Sequence, residues 1–313
     1  MRRGGLWALA AVGVLAVAGV VLPRWLVFLL TLAFAKGVAV LSVVVLMRAG
    51  LVSFGQGLFF AAAAYAAGFA MRGWGLREAL VLVPLGVAVA VLLGAVVGLL
   101  VARYRDIFFA MLTLAFSMVL YGVLIKAYTV TGGSDGIRIP TPSVLGISRA
   151  GDEARLLVYY LALACTAGSA WLVTRYAQAP AGYLAWAVRD NEVRVAYLGA
   201  PVNRIVYGAF LLASGLAGLG GVLTALNVGH VDPGLSYWTT SGELVFVAVL
   251  GGSGSVPGAL AGAVVYEVLR SYAFKYAPYA WQMMLGAAML VIILFLPGGV
   301  WSPVERWWRR QQA

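Results

Sequence analysis

Residues 25–47 read WLVFLLTLAFAKGVAVLSVVVLM, an apolar run carrying one charge, Lys36, at its middle. Wound as an α-helix the run is about 34 Å long, enough to cross a hydrocarbon layer of about 30 Å. Lys36 then lies about 16 Å from either end, too far for its side chain to reach water comfortably. An ammonium there costs about 2.5–3.5 kcal/mol on insertion scales, so it needs a partner or a wet cavity. Two readings stay open: a structural contact (to backbone carbonyls, or through a shifted helix boundary), or a position lining a solute pathway.

Segments of similar character occupy most of the remaining chain. They are Leu6–Leu22, Gly50–Met71, Ala79–Ala102, Ile107–Ile125, Leu156–Val173, Ile205–Leu226, Trp238–Leu250, Gly258–Phe274 and Trp281–Leu296. The 313 residues are 63% hydrophobic and 11% charged, with a mean hydropathy of +0.95. A soluble domain carries roughly a quarter of its residues as charges, so a nucleic-acid-binding domain, a disordered chain and most soluble enzymes are excluded. The expectation is an all-α polytopic membrane protein of about ten transmembrane helices, forming one domain over residues 1–313 in a lipid bilayer.

Ten spans put both termini on one face. Placing them in the cytoplasm puts twelve of the 22 Lys and Arg inside and nine outside, with Lys36 within a span, which is the sense of the positive-inside bias. Residues 174–204 then form a cytoplasmic loop, residues 126–155 an external loop, and residues 301–313 a basic, Trp-bearing cytoplasmic tail. Trp25, Trp74, Trp171, Trp281 and Trp301 fall at span ends, as an interfacial belt requires. The start, Met1-Arg2-Arg3 before Leu6–Leu22, reads as an uncleaved first helix rather than a removed leader. Small-residue faces for helix packing are supplied by Gly94/Gly98, Ser214/Gly218 and Gly258/Gly262.

Two stretches interrupt the helical pattern. Gly50-Leu51-Val52-Ser53-Phe54-Gly55-Gln56-Gly57 and Gly251-Gly252-Ser253-Gly254-Ser255-Val256-Pro257 both free backbone groups at membrane depth. Such a breach is tolerated only where protein or a water-filled cavity covers it. Paired interruptions in two halves point to a transport pathway in inverted-repeat transporters, which here suggests a 5+5 repeat with Ser53, Gln56, Ser253 and Lys36 on the pathway. Pro180–Leu198 reads as an amphipathic helix with Leu184, Val188, Val195 and Leu198 on one stripe and an Asp190–Arg194 pair at i,i+4. It suits either a lipid surface or a protein partner.

Other chemistry is discounted. Cys165 is the sole cysteine, read as a buried structural thiol, so no disulfide or CxxC site exists. The Gly-Gly-Ser-Gly run and His230 do not sit as a serine nucleophile and its base. No phosphate loop, HExxH or acidic metal cluster is present, so no catalytic residue, metal or cofactor is expected in this chain.

Four blocks carry a family resemblance over Gly37–Gly299. They are Ala49–Gln56 leading to Phe59, Phe60 and Tyr65; Phe109–Phe116 with Thr131-Gly132-Gly133-Ser134-Asp135-Gly136; Ala187–Arg194 with Leu198-Gly199; and Leu250–Gly252 with Gly254, Ser255 and Gly258. In these the chain resembles the LivM-type inner-membrane permeases of branched-chain amino acid ABC importers. The resemblance implies a type II importer permease fold, non-enzymatic in itself, working with a LivH-like second permease. It also implies two cytoplasmic ABC ATPases that bind the ATP, and a periplasmic substrate-binding protein. The helix at Gly182–Gly199, with Arg189, Asp190, Asn191, Glu192 and Arg194, would dock on an ATPase. Thr131, Ser134 and Asp135 would face the binding protein. Gln56 stands where the family usually has His, and Val43 where it often has Asn. A cargo such as urea or a short amide is the corresponding alternative, and a stand-alone secondary transporter coupled through Lys36 and Glu267 is the other.

Overall fold

The computed structural model describes residues 2–146, 151–252, 254–296 and 298–303, with the side chains of residues 2–9 and 293 outside the description. Its helices are α1 (Arg2–Val21), α2 (Arg24–Arg48), α3 (Gln56–Gly73), α4 (Ala79–Val101), α5 (Asp106–Lys126) and α6 (Tyr128–Thr131). They continue with α7 (Asp152–Gln178), α8 (Pro180–Tyr197), α9 (Val202–Val228), α10 (Trp238–Gly251), α11 (Val256–Tyr276) and α12 (Trp281–Phe295). Short 3-10 turns cover Gly133–Asp135 and Pro233–Ser236.

The chain is mostly helical but not wholly so. Strand β1 (Ile137–Arg138) pairs antiparallel with β2 (His230–Val231). The ribbon depends on Gly136, whose φ is +68° and whose added Cβ would lie 2.2 Å from the Val231 carbonyl oxygen. That close approach explains the glycine ending the Thr131–Gly136 block.

By length and apolarity α2, α4, α5, α7 and α9 qualify as membrane spans. The α10–α11 pair, bent by 117° at the glycine-rich break, makes a sixth if counted as one. Five or six of the expected ten segments thus meet this criterion. The third segment is shortened because residues 51–55 are not helical and α3 begins only at Gln56. Helices α10 and α12 have 14 and 15 residues, below the usual length of a span.

Helix α9 is the hub, packing on α2, α3 and α4. Its glycines permit this: a Cβ on Gly221 would sit 2.0 Å from the Phe60 carbonyl oxygen, and one on Gly220 2.6 Å from that of Ala35. Two of the expected small-residue faces meet each other, Gly94 of α4 lying against Ser214 of α9. The third, Gly258/Gly262 of α11, receives Gly251 of α10. Without a hydrophobic drive between helices in lipid, such backbone proximity supplies the dispersion contacts that hold a bundle together.

The bundle has two distinct ends. At one, Arg48 closes α2 by donating to the Ala177 and Gly182 carbonyls, which ties α8 beneath the core. At the other lie the ribbon, the start of α4 and the Arg24–Asp152 ion pair. Here Glu78 accepts from the backbone N–H groups of Leu145 and Gly146 and from the Ser143 hydroxyl. The amide of Gly146, ahead of those of Leu145 and the Ser143 hydroxyl, holds the Glu78 carboxyl below its usual range, against the opposing effect of burial.

Candidate functional site

Helix α3 starts inside the bundle rather than at its edge. Residues 51–55 lead from the α8 end back to α5, where the Phe54 N–H donates to Thr113 Oγ1 at 3.3 Å and a Cβ on Gly55 would touch Thr113. The Gly57 N–H then donates to Ser241 Oγ of α10 at 2.8 Å. From the ribbon end the Pro233–Ser236 turn reaches the same point, its Ser236 carbonyl accepting from Ser117 Oγ at 2.8 Å. Ser53, Gln56, Thr113, Ser117, Ser236 and Ser241 are all essentially inaccessible, at 0–2% exposure. They form a buried hydroxyl belt where α3, α5, α10 and the 3-10 turn converge.

Within the belt Ser53 and Gln56 differ. Ser53 Oγ accepts from the Gly55 N–H, shaping the turn into α3. Both amide atoms of Gln56 are buried with no hydrogen-bond partner among the described residues. A buried polar group left unpaired costs about 1–3 kcal/mol, so its presence calls for an explanation other than stability. Thr113, Ser117, Ser236 and Ser241 escaped the sequence reading. Thr113 and Ser117, four apart on α5, were the available signal, since that spacing places both on one face.

Lys36 found carboxylate partners. Its Nζ pairs with Glu243 of α10 and lies 2.7 Å from Glu267 Oε1 of α11, with the Tyr266 ring centroid 5.5 Å away. Arg270 Nη1 stands 3.7 Å from Glu267 and 3.9 Å from Glu243. Two cations and two carboxylates thus form a neutral cluster binding α2 to the bent pair. The contact is made to side chains rather than to backbone carbonyls. Ser253 lies outside the described residues. Its neighbours are packed for backbone proximity, Gly252 (φ +105°) crossing Gly299 while the Val300 N–H donates to Leu250 O. His230 sits in β2, beyond the far end of α10 from Gly251.

At the α8 end the amphipathic helix is present but broken. Asn191 has φ −158° and ψ 99°, and its Oδ1 accepts from the Arg194 N–H at 2.8 Å, so it caps a second short helical piece. The kink removes the i,i+4 register, and the expected Asp190–Arg194 pair is not formed among the described residues. Glu192 instead pairs with Arg105 at 2.8 Å, and Arg105 also reaches Asn203. Arg189 packs its backbone against Gly50, 3.2 Å from where a Cβ would stand. Val188 and Val195 of the expected stripe are buried, whereas Leu184 and Leu198 are exposed. With Tyr183, Trp186, Val193 and Tyr197, those two leave large apolar side chains on the outer side of α8, interspersed with the exposed Arg189, Asp190 and Arg194.

At the ribbon end Ser134 and Asp135 are exposed. Thr131 is not: it is buried, and its hydroxyl donates to Leu124 O at 2.6 Å and accepts from the Gly133 N–H at 3.2 Å. It shapes the loop rather than facing outward. A concavity of about 230 Å³ opens here between α5, Ser134 and the Pro233–Ser236 turn. Cys165 is half-buried and free, less enclosed than expected. Residues 147–150, in the loop expected to be external, and 304–313, in the expected tail, lie outside the described residues.

Comparison with known proteins identifies a family. Residues 25–294 match the family described as branched-chain amino acid transport system / permease component. The high-affinity branched-chain amino acid transport permease LivM of Salmonella typhimurium is 29% identical over 278 residues, 82% of this chain and 65% of that protein. LivH of Escherichia coli is 28% identical over 105 residues, 33% of each chain. The autoinducer 2 import permease LsrC of Shigella flexneri is 28% identical over 184 residues, 56% of this chain and 50% of its own. The chain thus spans just under two thirds of the length of LivM. No solved structure matches it. With more than four fifths of its residues inside the match, the chain belongs to the branched-chain amino acid transport permease family.

Proposed function

We propose that this chain is one permease subunit of an ATP-driven importer for branched-chain or related amino acids in a bacterial inner membrane. A LivH-like second permease completes the pathway, two cytoplasmic ABC ATPases bind the ATP, and a periplasmic protein delivers substrate. The observation that carries the reading is the meeting of α3 and α10 at the hydroxyl belt. Helix α3 begins within the bundle, its Gly57 N–H meeting Ser241 Oγ in the first turn of α10, and the two are the third and eighth of the apolar segments. In a ten-span, 5+5 inverted arrangement those two segments correspond, and discontinuous helices at a repeat interface are where such transporters place their solute path. Both termini then lie in the cytoplasm with α8, and Ser134 and Asp135 face the binding protein.

Coupling follows from α8. Its inner side is fixed through Arg48, Glu192–Arg105 and the buried Val188 and Val195, so force on its outer side is delivered to α2, α5 and α9. The residues of this element would convert ATPase closure into alternating access. In this reading Lys36 and Glu267 hold α2 to the bent pair rather than couple an ion gradient.

Reconstitution into liposomes with the second permease, the ATPases and the binding protein tests the proposal. ATP-dependent leucine uptake is expected, and substitution of Arg189, Asp190 or Glu192 by Ala should leave ATP hydrolysis poorly coupled to uptake while membrane insertion persists. Uptake by this chain alone, driven by an ion gradient and indifferent to ATP, would refute it.

A further inference from the structure

The concavity at the ribbon end has a chemistry that the pathway residues do not use. Its walls include Tyr121 of α5, Ser134, Asp232, and Tyr237 and Thr239 at the start of α10. Asp232 is the one charged group among its lining residues. The Tyr121 and Tyr237 rings form a pair with centroids 4.9 Å apart and planes at 54°. Aromatic faces beside a carboxylate are suited to an organic cation, which the ring quadrupole and the anion attract together. The concavity, about 230 Å³ and open to solvent, is on the scale of a small solute.

We infer that this concavity receives the ammonium group of a small amine-bearing solute, Asp232 supplying the counter-charge and Tyr121 and Tyr237 the aromatic wall. Asp232 Oδ1 already accepts from the Gly234 N–H at 2.8 Å, and a carboxylate retains further lone pairs for a second donor. The floor is the Pro233–Ser236 turn, whose far side contacts Ser117 and Gly57 of the belt. A solute held here is one short turn of chain from Gln56. The inference deepens the transport proposal and rests on it, since an amino acid released by a binding protein carries the required ammonium.

Ligand-observed saturation-transfer NMR on the assembled transporter in lipid tests this, with 3-methylbutylamine, L-leucine and 4-methylpentanoate as probes. The amine and leucine should bind and the carboxylate without an amine should not. Asp232→Asn separates charge from structure, because asparagine caps the turn as well as aspartate does. It should weaken amine binding about tenfold, the loss of a hydrogen bond to a charged group. Tyr237→Leu, which leaves the carboxylate, should weaken it severalfold. Wild-type binding in Asp232→Asn, or equal binding of 4-methylpentanoate, would overturn the inference. Loss in Asp232→Ala fully restored by Asn would do the same, showing a cap only. ATP-driven uptake measured on the same preparation keeps the proposals apart, since its presence alongside unchanged amine binding removes the reception site alone.

Discussion

Two polar clusters grip the first turns of α10 from opposite sides, and they are built on opposite principles. On the α2 side, Lys36, Glu243, Glu267 and Arg270 are charged and mutually neutralised, Glu267 almost fully buried and Arg270 the most open at 36% side-chain exposure. On the α3 side, Ser53, Thr113, Ser117, Ser236 and Ser241 are uncharged, make one or two hydrogen bonds each, and enclose an unpartnered Gln56. Removing one charge from the first strands another in an apolar interior. Breaking one bond in the second costs little and frees a polar surface. The difference teaches which contact holds the bent pair in place and which can open.

The largest effect should come from breaking the charged side. Lys36→Met leaves two carboxylates facing one arginine, and disruption of a buried pair costs about 3–5 kcal/mol. Thermal unfolding in detergent should show a large loss, partly restored in Lys36→Met/Glu243→Gln, where one cation again faces one carboxylate. Gln56→Met should act in the other direction. It deletes the unpaired amide, worth about 1–3 kcal/mol, so stability should be unchanged or higher while leucine uptake falls. A Gln56→Met protein that loses stability would show that the amide is satisfied and the comparison mistaken. Ser241→Ala removes one neutral bond to Gly57 and should cost about 1 kcal/mol, resolved by the shift in unfolding midpoint.

The smallest effect concerns the loop at the ribbon end. The Glu78 carboxyl is held below its reference value of 4.5, so its contribution is complete above that pH and is lost as pH falls through the depressed folded value. Proteolysis of the Lys126–Arg155 loop should therefore quicken only in acid below about pH 4.5, and Glu78→Gln should show faster cleavage at neutral pH without that acid dependence.

Much of this layout is readable from sequence, and the gaps have physical causes. Long apolar runs gave α2, α4, α5, α7 and α9 with ends within a few residues, because a membrane span is one long pattern with few alternatives. Lys36 announced that it needed a partner, since a lone ammonium at that depth is untenable. Which carboxylates answered could not be read, because Glu243 and Glu267 are more than two hundred residues away and only the packing of α10 and α11 on α2 brings them in. The belt was half legible. Ser53 and Gln56 stood out among glycines, whereas Ser117 and Ser241 lie in ordinary apolar helices and gain meaning from what they face. Pro233–Ser236 follows a polar stretch between apolar segments, and only the fold carries it to the buried belt. At Asn191 the apolar stripe suggested one continuous helix, and the capping preference of asparagine prevailed locally.

The central claim is that the hydroxyl belt is the closed constriction of a solute path. Cys165 is the sole native cysteine, so a Cys165→Ala background permits a single reporter, Ser117→Cys, at a site of 0% exposure. Its modification by a membrane-impermeant thiol reagent should be measured in the assembled transporter at rest and during ATP-driven uptake. Protection at rest and rapid labelling during turnover is the expected result. Labelling that stays equally slow while the transporter is turning over would contradict the claim.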